Sequence, residues 1–227
     1  MAHDPVPIIC GTGALGLRLA IRLAAAETPV VIGSRRPEAA AEAAQKVRDA
    51  VPGADADGLE NAEAATRGPI VVLTVPFRAQ SETLTNLKGV LRDGQILVDT
   101  TVPLAAAVAG RATRLLGVPQ GSAAQQAQEM VPEGVTVVSA LHTVSAPELA
   151  NLDVELDEDT LVAGDGKEAK GRVAELISRI PGLRPVDAGR LEMARYIEGI
   201  TPVLISVNAR YKAHAGIKLT GLPSELW

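Results

Sequence analysis

The chain has 227 residues, 47% of them hydrophobic, and a net charge of −5. This length allows one good core, or a domain with a small partner, and the apolar content excludes general disorder. The acidic balance and the lack of a basic run exclude a typical nucleic-acid-binding protein. No apolar run approaches the ~20 residues of a membrane span, and the N-terminus lacks a signal-peptide pattern, so we expect a cytoplasmic protein without membrane association.

The first predicted element is a glycine turn between an apolar run and an alanine-rich stretch. Residues 7–10 predict a buried parallel strand and residues 15–26 a helix. The turn reads Gly11-Thr12-Gly13-Ala14-Leu15-Gly16, which has the spacing of a dinucleotide-binding fingerprint. Its glycines permit the tight turn, the approach of the pyrophosphate and close packing of helix on strand. We therefore predict a pyrophosphate on the N–H groups at the helix N-terminus, with Thr12 as a further donor.

Cys10, the only cysteine, closes the first strand beside this turn. One cysteine excludes an internal disulfide and offers no cysteine cluster to a metal ion, so we expect no metal site. We interpret Cys10 as a small buried side chain and not as a nucleophile.

The second apolar run, residues 30–32, ends in Gly33-Ser34-Arg35-Arg36. A site for NAD usually has Asp or Glu here, which holds the ribose 2′-OH. Guanidinium groups instead pair with the 2′-phosphate of NADP, which a carboxylate would repel. We predict an NADP site with Ser34 and Arg35 as the primary contacts and Arg36 in support.

Alternating helices and strands follow. Residues 38–50 predict a helix, and a short acidic connector and a minor helix near residues 61–66 lead to an apolar run at 69–76. Residues 95–99 and 135–140 predict two more strands. This order predicts an α/β fold, a Rossmann-type doubly wound parallel sheet, over residues 1–141.

The end of the 69–76 run should face the cofactor, because ligands collect at the carboxyl ends of parallel strands. Val75, Pro76 and Phe77 are therefore candidate cofactor-binding residues, and we add Ser81 a turn further on. Residues 104–130 predict either a loop followed by a helix at 123–130 or a mobile cover, and both alternatives stay open.

The character of the chain changes after residue 141. The acidic stretch 153–159 predicts a solvated surface, residues 160–164 and 184–187 predict strands, and residues 167–180 predict a helix. The segment from residue 188 is mainly helical, with an interruption expected near Thr201-Pro202. We expect residues 142–227 to form a small α/β unit that packs on the first and leaves a crevice for a second substrate.

Seven motifs in this order carry a family resemblance. They are Gly11–Gly16 and the residues at 31–36, 71–77, 137–143, 150–153, 181–189 and 216–219. Together they resemble the NADPH-dependent reductases of coenzyme F420, a 5-deazaflavin, from residue 7 to about residue 219. The resemblance implies reversible hydride transfer between NADP(H) and F420 in a homodimer, with residues 142–227 binding the deazaflavin and forming the dimer.

The resemblance also implies roles for single residues. Thr12, Ser34 and Arg35 would hold NADP, and Phe77 would border the nucleotide. The residues placed where nicotinamide and deazaflavin meet are His142, Thr143, Val144 and Ala146. His142 is the candidate catalytic residue: it can donate to the deazaflavin, relay a proton or only fix the loop. The apolar residues 200–207 predict a buried helix near the deazaflavin or the partner subunit.

Two other functions compete with this one. An NADP-dependent reductase of the imine or hydroxyacid type usually adds a large all-helical domain, for which this chain has no room. A non-catalytic NADPH-sensing module would bind the nucleotide without turnover.

Overall fold

The computed structural model of the protein describes residues 3–227. Its strands in chain order are β1 Val6–Ile9, β2 Val30–Ser34, β3 Ala56–Glu60, β4 Ile70–Leu73, β5 Ile96–Asp99, β6 Thr136–Ser139, β7 Glu158–Ala163 and β8 Leu183–Gly189. They form one sheet in the order β3-β2-β1-β4-β5-β6-β7-β8. Neighbouring strands are parallel except β6 and β7, which pair antiparallel. The predicted doubly wound α/β fold is confirmed.

Within residues 3–227, eight α-helices connect and cover these strands. They are α1 Ala14–Ala25, α2 Pro37–Ala50, α3 Asn61–Ala65, α4 Phe77–Leu87, α5 Ala123–Met130, α6 Ala146–Ala150, α7 Lys167–Ser178 and α8 Ala194–Tyr211. Short 3₁₀ turns occupy Ala105–Val108 and Leu191–Met193. Residues 104–130 thus form a loop that ends in α5, as the first of the two alternatives predicts, and the mobile cover stays a prediction.

The sheet is buried on both faces, which explains its continuous apolar strands. Successive residues of a strand point to opposite faces, so Ile8 packs towards α1 and α7, while Ile9 packs towards α4 and α5. The α1 side of the core continues past residue 141, through Leu149 and Val162 to Val173. Residues 142–227 therefore pack on the preceding part and extend its sheet, and the boundary at residue 141 stays a prediction.

The acidic connector predicted after α2 is wrong, because residues 56–60 form β3. This strand lies at the edge of the sheet, and only its first residue, Ala56, is buried. An edge strand does not require the apolar run by which the other strands were recognised. The predicted interruption near Thr201-Pro202 is also wrong, since α8 continues through Pro202 to Tyr211.

The acidic stretch 153–159 is not a wholly solvated surface. Its last two residues, Glu158 and Asp159, are buried at the start of β7. Asp159 accepts two hydrogen bonds from Arg184, of 2.7 and 2.9 Å, and a third from the backbone N–H of Leu219. The carbonyl of Ile217 accepts from the N–H of Asp159, so the C-terminal segment lies alongside β7. These partners are 25 to 60 residues away in sequence, and a local pattern cannot reveal them.

Candidate functional site

The predicted site residues lie at the carboxyl-terminal ends of the parallel strands. Strand order reverses between β1 and β4, so a crevice opens at the carboxyl ends of these two strands. The glycine turn follows β1, Ser34 ends β2 and is followed by Arg35-Arg36, and Val75-Pro76-Phe77 follows β4. Residues 142–146 follow β6 and lead into α6. The fold thus brings segments that are far apart in sequence to a common edge.

The three glycines of the turn meet different surroundings. A Cβ on Gly16 would lie 2.6 Å from the Cα of Gly11 and 2.6 Å from Oγ1 of Thr74, so only glycine allows α1 to pack this closely. A Cβ on Gly13 would meet no protein atom nearer than 3.8 Å, the carbonyl oxygen of Cys10. Gly16 therefore serves packing within the protein, whereas Gly13 leaves open space at the N-terminus of α1, where the sequence predicts the pyrophosphate.

Asn61, which the sequence analysis missed, fixes the start of this turn. Cys10 has a left-handed backbone with φ 56°, and its N–H donates to Oδ1 of Asn61 at 3.1 Å. Cys10 is half-buried and not the fully buried residue expected, and burial raises the pKa of its thiol. No local pattern distinguishes Asn61, because it belongs to the minor helix that follows the unrecognised strand β3.

Two adjoining grooves meet at Cys10 and Arg35. One has a volume of about 380 Å³ and is lined by Val75 and Pro76 from the end of β4, together with Asn61, Arg78 and other residues of α3 and α4. The other, of about 400 Å³, is lined by Cys10, Thr12, Ser34, Arg35, Arg36 and Ala39. Predicted dinucleotide contacts that follow β1, β2 and β4 therefore line two adjacent grooves.

The arginines of these grooves carry uncompensated charge. Within residues 3–227, Arg35, Arg36 and Arg78 form no ion pair, although other arginines of the chain do. Oγ of Ser34 accepts from the N–H of Arg36 at 3.2 Å, which leaves its hydroxyl hydrogen available as a donor. Positive charge and a free donor beside a groove suit a phosphate group.

Phe77 and Ser81 lie outside the lining of both grooves. Phe77 is the first residue of α4 and is half-buried, next to the groove-lining Pro76. Ser81 lies one turn later, and its Oγ accepts from Nε2 of Gln126 at 3.1 Å. Ser81 therefore connects α4 to α5, and its role as a cofactor contact stays a prediction.

The loop after β6 concentrates buried polar atoms that no protein group satisfies. Leu141 adopts a left-handed backbone with φ 66°, and the side chains of His142 and Thr143 that follow are buried. Within the described chain, both ring nitrogens of His142 and Oγ1 of Thr143 have no hydrogen-bond partner. Oγ1 of Thr101 and Oγ of Ser139, from the ends of β5 and β6, share this condition. Buried polar groups are rarely left unpaired, so this cluster is suited to a polar ligand.

His142 is held in its neutral form. Burial lowers the pKa of its imidazole to about 4, because the charged ring would lose its hydration. At neutral pH one ring nitrogen donates and the other accepts. The ring can therefore orient a polar heterocycle, but it is not a charged acid at this pH. Val144 is buried beside it, and Ala146 begins α6.

Two buried acids, which the sequence analysis also missed, connect the elements around the site by hydrogen bonds. Asp99 ends β5 and accepts from Nε2 of Gln80 at 2.6 Å and from the N–H of Thr101 at 2.7 Å. Glu198 of α8 accepts from the N–H groups of Ala123 and Ala124 at the N-terminus of α5. Burial raises the pKa of Asp99 to about 6 and that of Glu198 to about 8. These hydrogen bonds connect the loop after β5 with α4, α5 and α8.

Among residues 3–227, no group of three His, Cys, Asp or Glu side chains is arranged to hold a metal ion. In the same part of the chain, no helix has the length and apolar character needed to cross a membrane.

Comparisons with known proteins agree with this geometry. Residues 5–103 match the family described as NADP oxidoreductase coenzyme F420-dependent. The F420-dependent NADP reductase of Methanothermobacter thermautotrophicus is 41% identical over 225 residues, which is 97% of this chain and 96% of that protein. The enzyme of the same name from Methanocaldococcus jannaschii is 43% identical over 222 residues, covering 96% of this chain and 98% of that protein.

Solved structures give the same result. A crystal structure from Arthrobacter sp. FB24, assigned to the F420-dependent NADP reductases, matches with a TM-score of 0.78 and 25% identity, over 96% of this chain and 100% of that one. The 3-hydroxyisobutyrate dehydrogenase of Mycobacterium tuberculosis matches with a TM-score of 0.61 at 14% identity, over 91% of this chain and 61% of that one. The second likeness reflects the fold alone.

Proposed function

The chain belongs to the F420-dependent NADP reductase family, and on that premise we propose that it transfers a hydride reversibly between NADP(H) and the deazaflavin coenzyme F420. The observation that carries the proposal is the cluster of unpartnered, buried polar atoms at Thr101, Ser139, His142 and Thr143. This cluster shares one sheet edge with the dinucleotide grooves. The two groups of residues therefore lie at the carboxyl ends of neighbouring strands, as a site for two adjacent ligands requires.

The nucleotide half of the site is proposed to hold NADP by charge and backbone donors. Arg35, with Ser34 and Arg36, would hold the 2′-phosphate, and the N–H groups of residues 11–16 with Thr12 would hold the pyrophosphate. Val75, Pro76 and Phe77 would border the nucleotide, and Ser81, one turn further along α4, would be an additional cofactor contact. The unpaired arginines and the open space at Gly13 fit this assignment.

The second half of the site is proposed to hold the deazaflavin against the loop at residues 142–146. NADPH, when bound, supplies the hydride that the deazaflavin ring accepts. The protein has to position the two rings and exclude water, for which it needs neither a nucleophile nor a metal. His142 would donate a hydrogen bond where negative charge grows, with Thr143, Val144 and Ala146 shaping the contact. We keep residues 1–141 as the NADP-binding part and 142–227 as the deazaflavin-binding part.

The experiment is spectroscopic. Purified protein is mixed with NADPH and oxidised F420, and the visible absorption band of the deazaflavin is recorded over time. Bleaching at the rate of turnover, and its reversal when reduced F420 and NADP are supplied, is the expected result. Binding of NADPH without any bleaching would contradict the proposal and favour an NADPH-sensing module.

A homodimer is proposed from the exposed face of α8. Tyr196, Val203 and Tyr211 are 63%, 59% and 71% exposed, and of residues 200–207 only Pro202 is buried within one chain. The face of the helix that carries these side chains is therefore not covered by its own chain, and a second copy is the occupant that the family resemblance implies. Several large, exposed apolar side chains on one helix are typical of a protein interface.

Light scattering coupled to size exclusion tests the dimer. We expect a mass of twice 23.5 kDa, and a Val203→Asp variant at the single-chain mass. Val108→Asp provides the matched control, because Val108 is similarly exposed, at 62%, but lies in the 3₁₀ turn that follows β5. A native protein that elutes as a single chain would contradict this proposal.

The proposed location is the cytoplasm, which cell fractionation can test.

A further inference from the structure

Helix α8 reaches the cluster of unpartnered polar atoms from a distant part of the chain. Oγ1 of Thr201 donates to the backbone carbonyl oxygen of His142 at 2.9 Å, across 59 residues of sequence. On the other side of the loop, the N–H of Leu141 donates to Oγ1 of Thr160 in β7 at 3.0 Å. The backbone around His142 is thus held by one hydroxyl from α8 and one from β7.

These two bonds matter because no hydrogen bond of normal geometry within residues 3–227 anchors the His142 ring; burial lowers its pKa and outweighs the nearby backbone of Thr101, which acts to raise it. Within the described residues, neither ring nitrogen forms a hydrogen bond, and neither does the hydroxyl of Thr143. The direction of the ring therefore depends on packing and on the backbone that carries it. That backbone is in the strained left-handed region at Leu141, which persists only where the surrounding contacts over-determine it.

Glu198 anchors the part of α8 that carries Thr201 to helix α5. It lies three residues earlier on the same face of the helix, is 1% exposed, and accepts from the N–H groups of Ala123 and Ala124 at 3.0 and 3.1 Å. Pro202 has no N–H, so the helix lacks the bond that would normally reach the carbonyl of Glu198. Because the helix is weakened at this point, the side-chain contacts to α5 and to the His142 loop carry more of the positioning.

We propose that Thr201, anchored through Glu198, is a positioning residue that orients the His142 loop towards the deazaflavin. The inference rests on the proposed function of that loop. Thr201 touches neither ligand in this assignment, and it acts only through the carbonyl of His142.

The test compares Thr201→Val, which keeps the shape and removes the donor, with Thr201→Ser, which keeps the donor. In the ligand-free protein we expect amide hydrogen exchange at residues 141–144 to quicken about 3- to 10-fold in Thr201→Val, the range that one neutral hydrogen bond supports. The ring resonance of His142 should shift as well. Thr201→Ser should restore both signals, and Glu198→Gln should reproduce the faster exchange.

Ligand binding supplies a second readout. Thr201→Val should weaken binding of F420 about 3- to 10-fold and leave the affinity for NADPH within about twofold. Thr66→Val is the matched control, because it removes a hydroxyl-to-carbonyl bond, to Glu63, outside this loop. Unchanged exchange and unchanged F420 binding in Thr201→Val would overturn the inference. A native protein that does not bleach F420 would instead refute the proposed function, while the exchange experiment would still decide the role of Thr201.

Discussion

Arg35 is the single residue whose charge should decide between the two nicotinamide dinucleotides. It borders both grooves and forms no ion pair within the described chain. Replacing it with alanine removes charge-assisted hydrogen bonds to a 2′-phosphate, each worth about 1.5–3 kcal/mol. We expect Arg35→Ala to weaken NADPH binding about 10- to 100-fold and to change NADH binding little, as measured by calorimetric titration. Arg92→Ala, which removes an exposed arginine in the connection between α4 and β5, is the control, and equal affinity of the native protein for both cofactors would refute the NADP assignment.

Replacing His142 tests whether this residue contributes to hydride transfer. As a neutral donor at a site of growing charge, it should contribute on the order of 100-fold to the turnover number, so His142→Ala should lower kcat by that factor. Its pKa of about 4 predicts that turnover of the native protein shows no step from this group between pH 6 and 8. Steady-state kinetics over this pH range measure both effects. A His142→Ala variant with unchanged kcat would remove the residue from the catalytic assignment.

At the scale of the elements, two glycines of the turn between β1 and α1 have different roles: Gly16 allows close packing, and Gly13 leaves room for the ligand. Gly16→Ala forces a Cβ to within 2.6 Å of Gly11 and Thr74, so it should cost about 1–3 kcal/mol of unfolding free energy. Gly13→Ala meets no protein atom nearer than 3.8 Å and should fold with nearly native stability. It should nevertheless weaken NADPH binding on the order of 100-fold, because the Cβ occupies the approach of the pyrophosphate. Urea unfolding and titration of both variants test the pair, and native NADPH affinity in Gly13→Ala would contradict the assignment.

Strands buried on both faces were predictable, as was the edge strand β8, whereas the edge strand β3 was not. The runs at residues 30–32 and 69–76 correspond to β2 and β4, because strands buried on both faces must be continuously apolar. Strand β3 escaped recognition because its side chains beyond Ala56 are not buried. Helix α8 was predicted to break near Pro202, yet one missing hydrogen bond is offset by the buried contacts of Ile197 and Glu198.

At the scale of the whole molecule, Glu158 makes stability depend on pH. It is buried where β7 meets the C-terminal segment at Gly216, and its Oε1 has no partner in residues 3–227. Burial, with a smaller effect from Glu148, raises the pKa of this carboxyl to about 7. Above the ordinary value of 4.5 the unfolded chain releases the proton, whereas the folded chain keeps it until about pH 7. The free energy of unfolding should therefore fall as pH rises through this window.

Glu158→Gln removes this contribution. Between pH 4.5 and 7 we expect the stability of the variant to fall by roughly 1–2 kcal/mol less than that of the native protein, a figure reduced for solvent screening. Urea unfolding at several pH values measures the difference. Glu155→Gln, an exposed neighbour, should follow the native curve. Parallel curves for Glu158→Gln and the native protein would contradict the argument.

The sequence by itself determined the parts of this protein whose chemistry is local. A glycine turn needs its glycines at fixed spacing, a phosphate site needs arginines at the end of a strand, and a two-sided sheet needs apolar runs. Only the tertiary structure revealed the contacts of Thr201 with His142, of Glu198 with the N-terminus of α5, and of Asp159 with Arg184. Each joins residues that are 25 to 75 positions apart. Their partners are chosen by the packing of the elements, which no short window of sequence contains.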